Sequence, residues 1–315
     1  MFREYTHAQT RQAIDAEATF AAWRQARHEL AQVRGSMFWR ETGGREYLIR
    51  RNTRGRQTSL GPRSPQTSEI FERFTQRKTQ AQLRARSLRE QIETDRRVSR
   101  ALSIGTVPPV VVAILNALDD AGLASDFRVV GTHALFAYAA AARVQLRSED
   151  TATRDVDLLF DMRHRLRFVR TMAGAGQSLL SVIQRADSTF TLRSDQAYTA
   201  TNAQGFEVDV IRRGAVGDDP HPLRMSDDEG DFWAVQVGTG AAMQDGELME
   251  QPVFATDGSI AVMRTIAPAA FCRVKRAIAR ASGRDPGKAR RDLLQSELVE
   301  MLVAQYLPHL APRLA

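Results

Sequence analysis

The sequence predicts a mixed α/β fold, of the α+β or α/β kind, carrying a helical N-terminal extension and C-terminal helices. Three observations predict it. Short apolar runs such as "FRVVG", "DVDLLF" and "FEVDVIR" alternate with helical stretches only in the middle of the chain. An Arg- and Gln-rich stretch over 65–97 carries only a thin apolar stripe, which suits a solvated strut or an arm against a partner. From Pro268 onward the pattern is helical again. These shifts place boundaries at 1–105 for a helical and β-hairpin extension, 106–265 for the core and 266–315 for a C-terminal helical segment.

The elements follow in order. Residues 10–34 predict a helix, with Ile14, Phe20, Trp23, Leu30 and Val33 as its apolar members. "GSMFWRETGGREYLIRR" predicts a hairpin turning at Gly43-Gly44. "SLGPRSPQTSEI" reads as a loop into a helix, with Ser64 as N-cap and Pro65 at the first helical position. The stripe of that helix is Phe71, Phe74, Leu83, Leu88 and Ile92. "SIGTVPP" marks a boundary near 105, and a helix over 108–121 follows. "FRVVG" is then a strand, "THALFAYAAAAR" a helix and "DVDLLF" a strand. "STFTLR", "AYTAT" and "FEVDVIR" are further strands, with "NAQG" turning between the last two. "VGTGAAMQDG" reads as a loop, and "PVFATDGSIAVMRT" as a hairpin on Asp257-Gly258.

Composition bounds the function. The chain has 315 residues, a formal net charge of +7 and a pI near 10.1. That surplus suits an anionic partner such as nucleotide or nucleic acid, or serves solubility alone. With Cys272 as the one cysteine, an internal disulfide and a cysteine zinc cluster are excluded. Together with an N-terminus lacking an apolar core of signal length and no long apolar window, this leads us to expect a cytoplasmic protein without a membrane span. The six histidines show no H-E-x-x-H spacing, and the P-loop and G-x-S-x-G motifs are missing.

The chemistry concentrates in "ATRDVDLLF". In a strand, Asp155 and Asp157 point to one face, with Cα atoms roughly 7 Å apart, while Val156 and Leu158 point to the other. "FEVDVI" repeats the pattern with Glu207 and Asp209. If the strands are neighbours, three or four carboxylates converge, and their mutual repulsion raises their pKa values. A divalent cation removes that penalty, and all-oxygen ligands suit Mg²⁺ or Mn²⁺. The D-x-D pair alone is a weak motif. Its context adds a strand ending in Gly131, a hydroxyl residue Thr132 at a helix start, and hence backbone N–H groups suited to phosphate.

Gly131-Thr132, Asp155-Val156-Asp157 and Asp209 together resemble the polymerase-beta-type nucleotidyltransferase superfamily. Its pattern is hG[GS], a helix, h[DE]h[DE]h and a third carboxylate on a later strand. The stretch "VVGTHALFAYAAAARVQL…TATRDVDLLF" and the region "GSMFWRETGGREYLIRR…SLGPRSPQTSEIFERF" also resemble a bacterial nucleotidyltransferase-fold family of poorly defined role. The resemblance spans roughly residues 30–300. It implies a nucleotidyltransferase-fold core, with a short mixed β-sheet flanked by helices. It also implies NTP as substrate and Asp155, Asp157 and Asp209 as catalytic and metal-binding residues. Asp155 and Asp157 would bridge two cations, and Asp209 would bind the catalytic one and help deprotonate the acceptor hydroxyl. Gly131 and Thr132 would bind nucleotide. Thr132 departs from the usual Ser or Gly, keeping a hydroxyl while its methyl narrows the loop. Glu207 stays open as an alternative to Asp209, and Asp161 is read as a helix N-cap.

"FCRVKRAIARASGRDPGKARRDLLQ" resembles the C-terminal helices of small nucleotidyltransferases, including AbiEii-type toxins. By that resemblance Lys275 contacts the triphosphate and Asp292 anchors the helix pair; a solvated basic helix is the other reading. His133 touches nucleotide, packs or caps the helix. The expected reaction is NMP transfer from NTP to an acceptor hydroxyl, with an RNA such as the tRNA 3′ end as leading acceptor and a protein side chain or an aminoglycoside-like small molecule as the alternatives. RNA or DNA would bind the basic N-terminal arm, where Trp39 and Tyr47 mix with Arg50, Arg51, Arg54 and Arg56. Two alternatives remain at this level: a non-catalytic nucleic-acid-binding or regulatory module on the same fold, and a toxin of a toxin–antitoxin or phage-defence pair.

Overall fold

A computed structural model describes residues 2–311. The chain forms two compact units, one of residues 11–98 and one of residues 1–10 with 99–315.

In the smaller unit, two long helices, His7–Gln32 and Pro65–Ala101, run antiparallel, as Gln12 bonding to Asp95 and Arg84 pairing with Glu29 show. Ser64 caps the second helix by accepting from the Thr67 N–H at 3.2 Å, as its sequence signature predicts. The apolar stripes differ from expectation. Ile14 and Leu83 are 53% and 62% exposed, whereas Ala13, Ala16, Ala26 and Ala85 are buried. Phe20 and Val33 of the expected stripe are buried as well, so the alanines share the buried positions with part of that stripe. The third element is an antiparallel sheet of Ser36–Thr42, Arg45–Arg51 and Gln57–Pro62. Its first two strands turn at Gly43-Gly44, both at positive φ, which glycine adopts without a Cβ clash. The third strand falls in part on "SLGP", read from sequence as loop. A register shift beside Ile49 and Pro62 at its end hide its alternation.

The larger unit is built on a mixed sheet in the order Leu223–Arg224, Trp233–Gln236, Glu207–Arg212, Asp155–Phe160, Phe127–Val130. The Asp155 strand lies parallel to the Glu207 strand and antiparallel to Phe127–Val130. Thr199–Thr201 pairs with the start of the Glu207 strand and Trp233–Gln236 with its end. The strands at 223–224 and 233–236 carry no alternating signal long enough to be read from sequence. A hairpin of Leu248–Phe254 and Ile260–Ile266 turns at Asp257-Gly258 as predicted. Residues Gly240–Asp245 form a short helix where a loop is expected.

The strand alternation sorts two cores. Val156, Leu158, Phe160, Val208 and Val210 face one cluster with Val111, Ile114 and Leu118 of helix Pro109–Asp120. Leu159 and Ile211 face the other, with Tyr138 of helix Ala134–Ala141, Phe271 of helix Pro268–Ala279 and Val299 of helix Pro286–Tyr306. Asp155, Asp157 and Asp209 have the parity of Leu159 and Ile211. They therefore sit on the face that these three helices cover. Among the described residues no helix is long and apolar enough to cross a membrane.

Candidate active site

Pairing register builds the site. Asp209 lies opposite Asp157, and Asp157 lies opposite Val130, the residue before Gly131. The three expected components thus meet at one end of the sheet. Carboxylate oxygens of Asp155, Asp157 and Asp209 all lie within 4.8 Å of one another. Glu207 is opposite Asp155 but is engaged elsewhere, with Arg193 at 3.1 Å and the Thr201 hydroxyl at 3.4 Å. Arg193 in turn pairs with Asp195 at 2.8 Å.

Gly131 has φ +66°, and a Cβ there would stand 2.3 Å from Asp157 Oδ2. Left-handed backbone and close approach both require glycine. The chain then enters a 3₁₀ turn, Gly131–His133, and the helix Ala134–Ala141. His133 is 1% exposed, with ring contacts to Phe136 and Phe206. Burial holds its imidazole down at about pKa 4, so the ring packs there in its neutral form at neutral pH.

The carboxylates are arranged at electrostatic expense. Asp157 is pushed up to about pKa 7, first by desolvation and then by repulsion from Asp155 and Asp209, with Lys275 opposing. Asp209 is raised too, first by desolvation, while the Thr199 hydroxyl, donating to its Oδ1 at 2.5 Å, holds it down. The Thr153 hydroxyl donates to Asp155 Oδ1. Three converging carboxylates form an oxygen-only donor set. That set fits a hard divalent cation of the Mg²⁺ or Mn²⁺ type.

Lys275 is 8% exposed, with Nζ 2.8 Å from Asp292 Oδ1. Arg284 donates to Oδ2 of the same Asp292 from Nε at 3.1 Å and from Nη2 at 2.5 Å. Asp292 thereby ties helix Pro268–Ala279, the following connection and helix Pro286–Tyr306 together. Asp161 accepts from the Arg163 N–H at 3.1 Å and pairs with the Arg163 side chain, so it caps a turn away from the carboxylate cluster.

Sequence reasoning missed Gln295. Its Nε2 donates at 3.3 Å to the Thr132 hydroxyl and at 3.3 Å to the Asp150 carbonyl. A glutamine inside a helix carries no local signal for this role. The Thr199–Asp209 bond was equally hidden, because it joins neighbouring strands.

A family model described as Nucleotidyltransferase matches residues 110–314, a span that takes in every residue of this site. The searches of curated proteins and of solved structures found no match.

Proposed function

The chain belongs to this nucleotidyltransferase family, and from that premise we propose that it transfers a nucleoside monophosphate from an NTP to an acceptor hydroxyl. Its mixed sheet with flanking helices is a nucleotidyltransferase-fold core. The observation that carries the reading is the convergence of Asp155, Asp157 and Asp209 from adjacent strands within 4.8 Å, beside a glycine turn.

Asp155, Asp157 and Asp209 would hold two divalent cations, Mg²⁺ or Mn²⁺, which supply charge neutralisation for the triphosphate and acidify the acceptor hydroxyl. The Gly131–Thr132 turn would face the phosphates through its backbone, a role that the missing Cβ of Gly131 permits. Lys275 would add positive charge toward the triphosphate. It is fixed for this by Asp292, which leaves its ammonium near enough to Asp157 to lower that group's pKa. Asp209, oriented by the Thr199 hydroxyl, would take the acceptor's proton at a carboxylate oxygen. The acceptor oxygen attacks the α-phosphorus, the bond to the α–β bridging oxygen breaks, and pyrophosphate leaves with that electron pair. Positioning and charge neutralisation supply most of the rate enhancement. As acceptor we propose an RNA 3′ end, on the strength of the basic surplus.

Incubating the purified protein with each labelled NTP, Mg²⁺ or Mn²⁺ and a total cell extract should label one macromolecular fraction and release pyrophosphate. Asp155→Asn should reduce transfer by at least about 100-fold. Equal labelling by the variant would overturn the site assignment.

A further inference from the structure

We propose that the three-stranded sheet of the smaller unit is a docking surface for single-stranded RNA, centred on Phe38, Arg40 and Arg51. This rests on the reading above in taking RNA as the acceptor, but it concerns a different unit of the chain and stands on separate observations.

The first is where the charge lies. Residues 11–98 contain 19 Lys and Arg against 10 Asp and Glu, a surplus of nine. The rest of the chain contains 25 against 27. The chain's basic excess therefore belongs to the unit that holds none of the site residues. A surplus kept only for solubility has no reason to partition this way, whereas a polyanion-binding surface does.

The second is the sheet's two-sidedness. Trp39, Leu48 and Arg50 share one face by register, and that face meets helix Pro65–Ala101 through Trp39–Phe71 and Arg50–Phe74 contacts. Phe38, Arg40, Tyr47, Ile49 and Arg51 share the other. There the guanidinium groups of Arg40 and Arg51 stand 5.6 and 5.7 Å from the Phe38 ring centroid. Each is held in place by a polar neighbour on the third or first strand: Arg40 donates to Gln57, and Arg51 to the Ser36 hydroxyl at 3.3 Å. Residues 51–60 are exposed throughout.

Planar guanidinium groups flanking a half-buried aromatic offer stacking faces for bases and charge for phosphates at once. That combination suits unpaired bases, since a duplex hides its base faces. Hydroxyl and amide groups at Ser36, Gln57 and Ser59 on the same face suit a ribose 2′-hydroxyl, which favours RNA over DNA.

The test is anisotropy of the full chain with a labelled single-stranded RNA of about 20 nucleotides in EDTA, so that no transfer occurs. Single-stranded DNA and duplexes of the same length run in parallel. Arg40→Gln with Arg51→Gln should weaken RNA binding by about 10-fold or more. The salt slope should fall by about 1.4, as expected for two lost contacts on a single strand. Arg86→Gln with Arg89→Gln, an equal charge change on the long helix, should weaken it less than about threefold. Since Arg40 and Arg51 make local contacts, Arg45→Gln at the hairpin end is a second variant, expected to reduce affinity by a few-fold without disturbing the sheet. Equal effects of the two charge pairs, tighter binding of a duplex or of DNA, or no RNA binding would each overturn the proposal. RNA binding without any nucleotidyl transfer would support this surface while sinking the catalytic reading; transfer to a small molecule without RNA binding would do the reverse.

Discussion

At the residue scale the site is defined by what each side chain is denied. Gly131 is denied a side chain by Asp157, and Asp157 is denied full ionisation by its neighbours. Gly131→Ala should cost about 2–3 kcal/mol by chemical denaturation, from the left-handed backbone plus a displaced carboxylate, and should weaken metal binding. Asp157 has a folded pKa of about 7 against 3.8 unfolded, so the metal-free fold favours its protonated form. Its stabilising contribution is complete below pH about 4 and is lost as pH rises through 7, an effect on the order of a few kcal/mol. Thermal melts in EDTA should therefore show a decline across pH 4–8 that Asp157→Asn largely removes. Glu207 and Asp209 separate by partner. Asp209→Asn should abolish transfer, whereas Glu207→Gln, which loosens the Arg193 pair and the Thr201 contact, should keep activity within about threefold. A larger loss in the Glu207 variant would move the third ligand.

At the scale of elements, strand register and helix tethering do the positioning. Asp155–Phe160 and Glu207–Arg212 both open on a carboxylate, a valine and an aspartate, and parallel pairing in register brings these two separate motifs side by side. Much of this was legible. Alternation fixed which face each aspartate takes, Asp257-Gly258 marked its hairpin, and Ser64-Pro65 its helix start. The buried alanines of the two long helices were not, because hydrophobic scales pass over alanine. Overfilling one of these buried positions with Ala16→Leu should destabilise by about 1–3 kcal/mol in urea denaturation. The tie between helices Pro268–Ala279 and Pro286–Tyr306 runs through Asp292, buried between Lys275 and Arg284. Asp292→Ala strands two cations in a mostly buried position and should cost about 3–5 kcal/mol by denaturation.

At the scale of the whole molecule, repulsion among the carboxylates and binding of a cation are one linked equilibrium. Added Mg²⁺ binds the ionised form, so it competes with the proton on Asp157. The rise in melting temperature on adding millimolar Mg²⁺ should accordingly be larger at pH 8 than at pH 5, and should vanish in Asp155→Asn. A rise independent of pH would argue for a cation elsewhere. The partition of charge between the two units also belongs to this scale, since a net +7 hides one basic unit and one near-neutral unit.

By itself the sequence determined the α/β class, the faces of the aspartates, the glycine turn and the turns and caps, because each is a local matter of period, φ and hydrogen bonding. Only the tertiary structure decided that Glu207 turns to Arg193, that Thr199 and Gln295 brace Asp209 and Thr132, and that His133 is sealed among aromatic rings. Those outcomes depend on which distant segments become neighbours. Side-chain partners across strands and helices leave no periodic trace along the chain.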